Sequence, residues 1–314
     1  MFSYDFEVPP SRKIRYIVHT DCKNEADDQY TLVHLLMTPL FDIRAIIACH
    51  FAHMNFHGLS PEATMQASFD EIQKILELMH VSGQYPVLKG AAGPLLDEQM
   101  PIDSAGARFI VQEALREDDR PLFIGIQGAL TDLASAILME PSICDRMTAI
   151  WIGGGDYPKG GEEFNLSQDI RAANIVFRSS MPLWQVPLST YKQFGVSLAE
   201  LQYKVKPHGK IGAYLFRQLV ELNTRLGSER KDKPWPHGEL WGLGDEGVVA
   251  ALMEEREKAD GYRMLPAPTV EPETMEYRFE AENRPIRVYH SMNARLDLED
   301  LFCKLAIQFP NADD

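Results

Sequence analysis

At 314 residues, 45% hydrophobic and 25% charged, the chain has globular composition and enough length for a large core. A net charge of −15 argues against a nucleic-acid backbone or an anionic membrane as the main partner, because both select basic surfaces. Four separated cysteines with no CxxC spacing argue against a disulfide framework and a cysteine zinc site, and with no apolar run of signal-peptide or membrane-span length the expectation is a soluble cytoplasmic protein whose thiols are reduced and mostly buried.

In chain order, the apolar run Ile14–Thr20 is expected as a first strand and Asp28–Met37 as a first helix. The turn between them, within His19–Gln29 (HTDCKNEADDQ), is the most informative segment. Asp21, Glu25, Asp27 and Asp28 put four carboxylates into eight residues, and like charges this close must shift pKa, face water or share a cation. Acids also suit the first turn of a helix, so helix initiation alone is the other reading of Asp27 and Asp28. Further strands are expected at Ile43–Ala48, Pro86–Lys89, Leu122–Gln127, Ala149–Gly153 and Leu183–Leu188. Helices are expected between them at Pro61–Met79, Ala105–Ala114, Thr131–Met139 and Asp169–Phe177. Repeated βα units predict an α/β protein with an open, mostly parallel, Rossmann-like sheet and helices on both faces, in which ligands collect beyond the carboxyl ends of the strands. Those ends run into oxygen- and glycine-rich segments: TDCKNEADD, CHFAHMNFH, QGALTD and GGGDYPKGGEEFN.

From about residue 190 the pattern becomes mainly helical and loop-rich, with helices expected at Ser197–Val205, Ile211–Leu226 and Glu246–Glu254. This portion is expected to contribute to the active site of a single domain spanning 1–314. Strand-like stretches at Met275–Phe279 and Ile286–His290 and a helix at Asp297–Ile307 close the chain. Gly227–Gly238 (GSERKDKPWPHG) is dense in charge and proline without an apolar period, which predicts a mobile loop.

Two familiar signatures fail. The glycines of Gly153–Gly161 lack the GK[ST] ending of a P-loop and the GxGxxG spacing that opens a helix. His50, His53 and His57 lack an HExxH arrangement and are interleaved with Phe51, Met54 and Phe56, which favours a loop lining a pocket over a zinc site.

Four motifs in order resemble the inosine-uridine-preferring nucleoside hydrolase family, calcium-dependent N-ribohydrolases with an open α/β fold. They are the turn TDCKNEADD, the strand-to-helix segment Gln127-Gly-Ala-Leu-Thr-Asp132, the tripeptide Glu163-Phe164-Asn165 after paired glycines, and Gly244-Asp245-Glu246 opening a helix. The resemblance spans about residues 13 to 255. It implies that Asp21, Asp28, Asp245 and the main-chain carbonyl of Gln127 hold calcium, a hard cation that takes six to eight oxygen ligands. It further implies that Asp27 and Asn165 bind ribose hydroxyls and that Glu163 reaches the 5′ end of the sugar. Without the resemblance, Asp245 reads as a helix cap, Asn165 as a turn residue and Glu163 as a solvated charge.

The chain also departs from the family. Five residues, rather than the common three, separate Asp21 from Asp27, which is closer to a branch with an NExDD pattern. Gly244 stands where purine-preferring members carry a histidine that protonates the departing base. A general acid contributes a factor of about 10² to 10⁴, so another donor is needed, and the candidates are His237, Trp241, His50, His53 and Tyr191. His237 and Trp241 are expected to contact the substrate, with the loop around His237 closing over the base.

The resulting expectation is hydrolysis of the N-glycosidic bond of a ribonucleoside or related N-riboside, with Asp21 accepting the proton of the attacking water and calcium as cofactor. The partner is a small nucleoside, and by resemblance the chain forms a homodimer or homotetramer. Two other classes fit the acid-rich turn. One is a magnesium phosphohydrolase with Asp21 as nucleophile, which would need phosphate clamps where the turn offers only Lys23. The other is a non-catalytic, metal-dependent nucleoside- or sugar-binding protein, kept open by Gly244.

Overall fold

A computed structural model describes residues 2–236, 238–254, 260–280 and 282–310. The first apolar run forms β1 (Ile14–Thr20), with every residue buried. A strand covered on both faces needs apolar residues at successive positions instead of alternate ones. The two faces can be read from β1 itself: Tyr16 and Val18 pack into one core and Ile17 into the other. The same alternation recurs along β2 (Phe41–Ala48), where Ile46 and Ala48 face the first core and Ile47 the second.

The chain leaves β1 for α1 (Asp28–Met37), returns in β2, and continues through α2 (Pro61–Leu78), β3 (Val87–Lys89), α3 (Ala105–Ala114), β4 (Leu122–Ile126), α4 (Thr131–Met139) and β5 (Thr148–Ile152). Two short helices, α5 (Phe164–Gln168) and α6 (Ile170–Arg178), then lead to β6 (Leu183–Val186). After it come α7 (Leu188–Tyr191), β7 (Gly195–Ser197), α8 (Leu198–Lys204), α9 (Gly209–Glu229), β8 (Leu240–Gly242), a 3-10 turn at Gly244–Glu246 and α10 (Gly247–Met253). The chain ends in β9 (Tyr262–Pro266), β10 (Thr269–Val270), β11 (Tyr277–Arg278), β12 (Pro285–Tyr289) and α11 (Ala294–Gln308).

The main sheet has eight strands in the order β3-β2-β1-β4-β5-β6-β12-β9. All neighbours are parallel except β12 and β9, which are antiparallel. Helices α1, α2, α9, α10 and α11 cover one face and α3, α4 and α6 the other. Strand order reverses between β1 and β4, so the segments leaving their carboxyl ends diverge and open a crevice.

The α/β, mostly parallel architecture expected from the sequence is therefore present, and the differences are local. Met275–Phe279 does not join the main sheet; only Tyr277–Arg278 is a strand, paired with β10. The edge strand β9 was not expected, because its burial pattern is largely exposed and it carries no apolar run. Helix α9 runs through Glu229, so the first residues of Gly227–Gly238 continue a helix. Cys22, Cys49 and Cys144 are buried free thiols and Cys303 is an exposed one. No described helix is long and apolar enough to cross a membrane.

Candidate active site

The crevice beyond β1, β4 and β5 opens into a cavity of about 680 Å³ whose lining includes Asp21, Asp27, Asp28, Gln127, Asn165 and Asp245. Three stretches of chain far apart in sequence converge there. Asp21 follows directly on β1, and Asp27 and Asp28 stand at the start of α1. Asp245 comes from the 3-10 turn before α10.

Asp27 occupies the cap position of α1, yet its side chain makes no capping hydrogen bond. Its Oδ2 accepts instead from the Asp245 backbone N–H at 3.4 Å. Asp245 likewise caps no helix with its side chain. Carboxylate oxygens of Asp27, Asp28 and Asp245 lie within 4.8 Å of one another, all buried. Asp21 joins this group through Asp28, with which it is in hydrogen-bond contact.

Few side chains donate to these acids, although backbone N–H groups, those of Gly244 and Asp245 among them, serve Asp27. Asn24 Nδ2 donates to Asp21 Oδ2 at 3.0 Å, and Thr20 Oγ1 donates to Asp28 Oδ1. The carboxyl pKa values respond accordingly: burial pushes Asp21 up to about 7 and Asp27 up to about 6. Burial and the neighbouring carboxylates drive Asp28 and Asp245 well above the usual range. Buried like charges without a cationic partner are strongly unfavourable, so the cluster must either hold protons or hold a cation. Its hard oxygen donors suit calcium or magnesium and not a soft-ligand metal, and the Gln127 carbonyl can add another. That carbonyl accepts from Asn165 Nδ2 at 3.2 Å, which leaves its second lone pair free.

Gly128 is required at this point. A β-carbon there would come within 2.8 Å of Asp21 Oδ1 and of Cys49 Sγ. Asp132, at the end of the same motif, does not line the cavity. It is buried, paired with His19 Nε2 at 3.0 Å, and accepts from the Ala91 N–H at 2.9 Å, which ties β1, β3 and α4 together.

Glu163 is buried and caps α5, its carboxylate accepting from the N–H groups of Gly154, Asn165 and Leu166 at 2.7, 3.2 and 2.9 Å. Asn165 Nδ2 also donates to the Ile152 carbonyl at 2.9 Å. Neither is the solvated charge or plain turn residue that composition alone allows, and both line the cavity. Tyr191 Oη donates to Glu163 Oε1 at 2.9 Å. Trp241 is buried, lines the cavity, and its indole N–H has no partner among the described residues. His237 lies outside the described residues. His50 is buried and committed to Thr131 Oγ1 at 2.8 Å, and neither it nor His53 lines the cavity.

Several lining residues received no role from the sequence. Glu25 is half-buried, and burial together with Asp27, Asp21 and Glu163 raises its pKa while Arg230 lowers it. Phe56, Phe164, Trp235 and Arg230 form an aromatic and cationic wall of the same cavity. The clue available was Trp235 inside a charge-rich segment.

The model of one protein family, described as inosine-uridine preferring nucleoside hydrolase, matches residues 16–294. The chain is 25% identical over 240 residues, 68% of its length and 72% of the relative's, to a pyrimidine-specific ribonucleoside hydrolase RihA of Salmonella paratyphi A. It is 27% identical over 129 residues, 40% of its length and 41% of the relative's, to an inosine-uridine preferring nucleoside hydrolase of Leishmania major. Among solved structures it superposes on a plant nucleoside hydrolase, PpNRh1, with a TM-score of 0.72 at 17% identity, covering 93% of this chain and 98% of that one. A purine-preferring ribonucleoside hydrolase from Gardnerella vaginalis superposes with a TM-score of 0.72 at 16% identity, covering 94% and 98%.

Proposed function

The chain belongs to the inosine-uridine preferring nucleoside hydrolase family, hydrolases of the N-glycosidic bond of ribonucleosides, and on that premise we propose that it is a calcium-dependent enzyme working in a reducing cytoplasm. The observation that supports the calcium reading is the buried set Asp27, Asp28 and Asp245, oxygen to oxygen within 4.8 Å, with Asp21 in contact and no cationic side chain among them. Asp21, Asp28, Asp245 and the Gln127 carbonyl would hold the ion. When bound, calcium would supply positive charge that orients a ribose diol and acidifies an attacking water.

The rest of the chemistry falls to the chain. Asp21, whose carboxylate lines the cavity, accepts the proton of the attacking water. Asp27 and Asn165 hold the ribose hydroxyls. Glu163, fixed by three backbone donors and Tyr191, binds toward the 5′ end. The surrounding carboxylates favour positive charge developing on the sugar without reorganising at the moment of reaction. Trp241 offers its unpaired indole N–H to the base.

The base itself is open by comparison, since the named relatives include a pyrimidine-specific and a purine-preferring enzyme. The test is reducing-sugar release from a panel of nucleosides, with calcium and with chelator. Turnover that chelation abolishes and calcium restores supports the proposal. Ligand and metal binding without turnover would make the protein a binder, and action on phosphate esters alone would make it a phosphohydrolase.

A further inference from the structure

Breaking the glycosidic bond leaves an electron pair on the base nitrogen, which departs readily only if a proton or a positive charge meets it. The position of the family histidine is closed: a β-carbon on Gly244 would come within 2.9 Å of Tyr191 Cδ2. Tyr191 fills that space, but its hydroxyl is committed to Glu163. No described residue lining the cavity is a histidine. Trp241 can donate a hydrogen bond but, as an indole, not a proton.

Two described cationic side chains line the cavity, Lys192 and Arg230; Lys192 is exposed, whereas Arg230 lies against the aromatic wall. Its guanidinium lies 5.6 Å from the Phe56 ring centroid and 5.4 Å from that of Trp235, close enough for cation–π attraction to hold it. Phe56 stacks on Phe164 at 5.5 Å, and Trp235 lies 4.9 Å from Trp241, so one aromatic surface carries the guanidinium on to the indole. Among the described residues the guanidinium makes no ion pair. Its field reaches the acids, since it opposes the upward shift of Glu25.

Resting on the nucleoside-hydrolase reading above, we propose that Arg230 stabilises the departing base as an anion, which makes nucleosides of acidic, readily deprotonated bases the preferred substrate class. The C1′–N bond breaks with both electrons going to nitrogen, and the water oxygen bonds to C1′. One water proton passes to Asp21 and on to solvent, and the freed base anion takes a proton from solvent. Guanidinium remains charged throughout, so no proton donor in the site is consumed.

The test measures kcat/KM for a series of aryl ribosides from nitrophenyl to unsubstituted phenyl, with the full chain and its Arg230→Met and Arg230→Lys variants. Methionine keeps an unbranched stem on the rings and removes the charge. Removing one preorganised anion-stabilising donor costs a factor of about 10² to 10³, so Arg230→Met should lose about that on phenyl riboside and far less on nitrophenyl riboside, steepening the dependence on leaving-group acidity. Arg230→Lys should restore most of the wild-type slope. A loss equal across the series, or no loss, overturns the role of Arg230 while leaving the hydrolase reading intact, and so would His237→Ala steepening the slope where Arg230→Met does not. A wild type inert on every riboside, nitrophenyl included, overturns both.

Discussion

Two buried acidic clusters sit a few residues apart and are built on opposite principles. In the second, His34 Nδ1 meets Glu246 Oε2 at 2.7 Å and its Nε2 meets Asp300 Oδ2 at 2.9 Å. Lys304 pairs with Asp300 and donates to Thr38 Oγ1 at 2.9 Å, and Thr31 Oγ1 donates to Glu246 Oε1 at 3.3 Å. This cluster joins α1, the 3-10 turn and α11, and its Glu246 and Asp300 carboxylates have cations of the chain's own, while Asp297, buried beside Glu246, has its pKa driven well up by burial and that neighbour. The first cluster, with Asp245 one residue from Glu246, has none. The same turn thus presents one acid to a network that carries its own histidine and lysine and the next to a cavity, and the imbalance of the first cluster is what a ligand can correct.

The comparison breaks most sharply on activity. Asp21→Asn should lower kcat by about 10² to 10⁴, the usual contribution of a general base, with a much smaller change in KM, since most ribose contacts survive. Steady-state kinetics on the best nucleoside of the panel checks it, and preserved turnover with lost affinity would refute the assignment.

Next in size is stability. Glu246→Ala removes one partner of a buried, paired charge and should destabilise by about 3–5 kcal/mol. Asp28→Asn should leave the chelated protein equally or more stable, because it removes an unpaired buried charge. Urea unfolding of both variants in chelator measures the contrast, and similar losses in the two would erase it.

Smaller effects sharpen the picture. Asn165→Ala and Glu163→Ala should each lower kcat/KM by about 1–3 kcal/mol of transition-state stabilisation, read from kinetics on one substrate. Smallest is a pH effect at His34. Burial depresses its imidazolium, but Glu246 and Asp300 outweigh this and raise its pKa above 6.5. Its contribution is therefore fully present below pH 6.5 and is lost as pH rises through the folded value. With calcium present, stability should fall across that window in the wild type and less in His34→Gln.

How much was legible follows from which interactions are local. β1 and α1 match their expected limits, because a strand covered on two faces is an unbroken apolar run and a helix after it shows its own period. The edge strand β9 escaped because its pairing partner β12, not its own pattern, makes it a strand. The five-residue α5 escaped because a cap, Glu163, rather than an apolar period, starts it. At the site, Asp21, Asp27 and Asp28 were visible as one crowded turn, whereas Asp245 was visible only through the family resemblance. The wall of Phe56, Trp235 and Arg230 draws on two segments more than a hundred residues apart. In isolation each residue there reads as an ordinary aromatic or a surface charge.

The central claim is that the uncompensated cluster holds a divalent cation, and the thermal stability of chelated protein with and without added calcium, followed against pH, tests it most directly. Without metal, the raised carboxyls of Asp27 and Asp21 should make stability fall as pH rises from the unfolded carboxyl value of 3.8 through about 6 and about 7. Calcium should restore it near pH 7, by about 2.7 kcal/mol at a hundredfold excess over Kd, and act weakly near pH 4, where the cluster is protonated. A melting temperature that calcium leaves unchanged at pH 7 would contradict the claim.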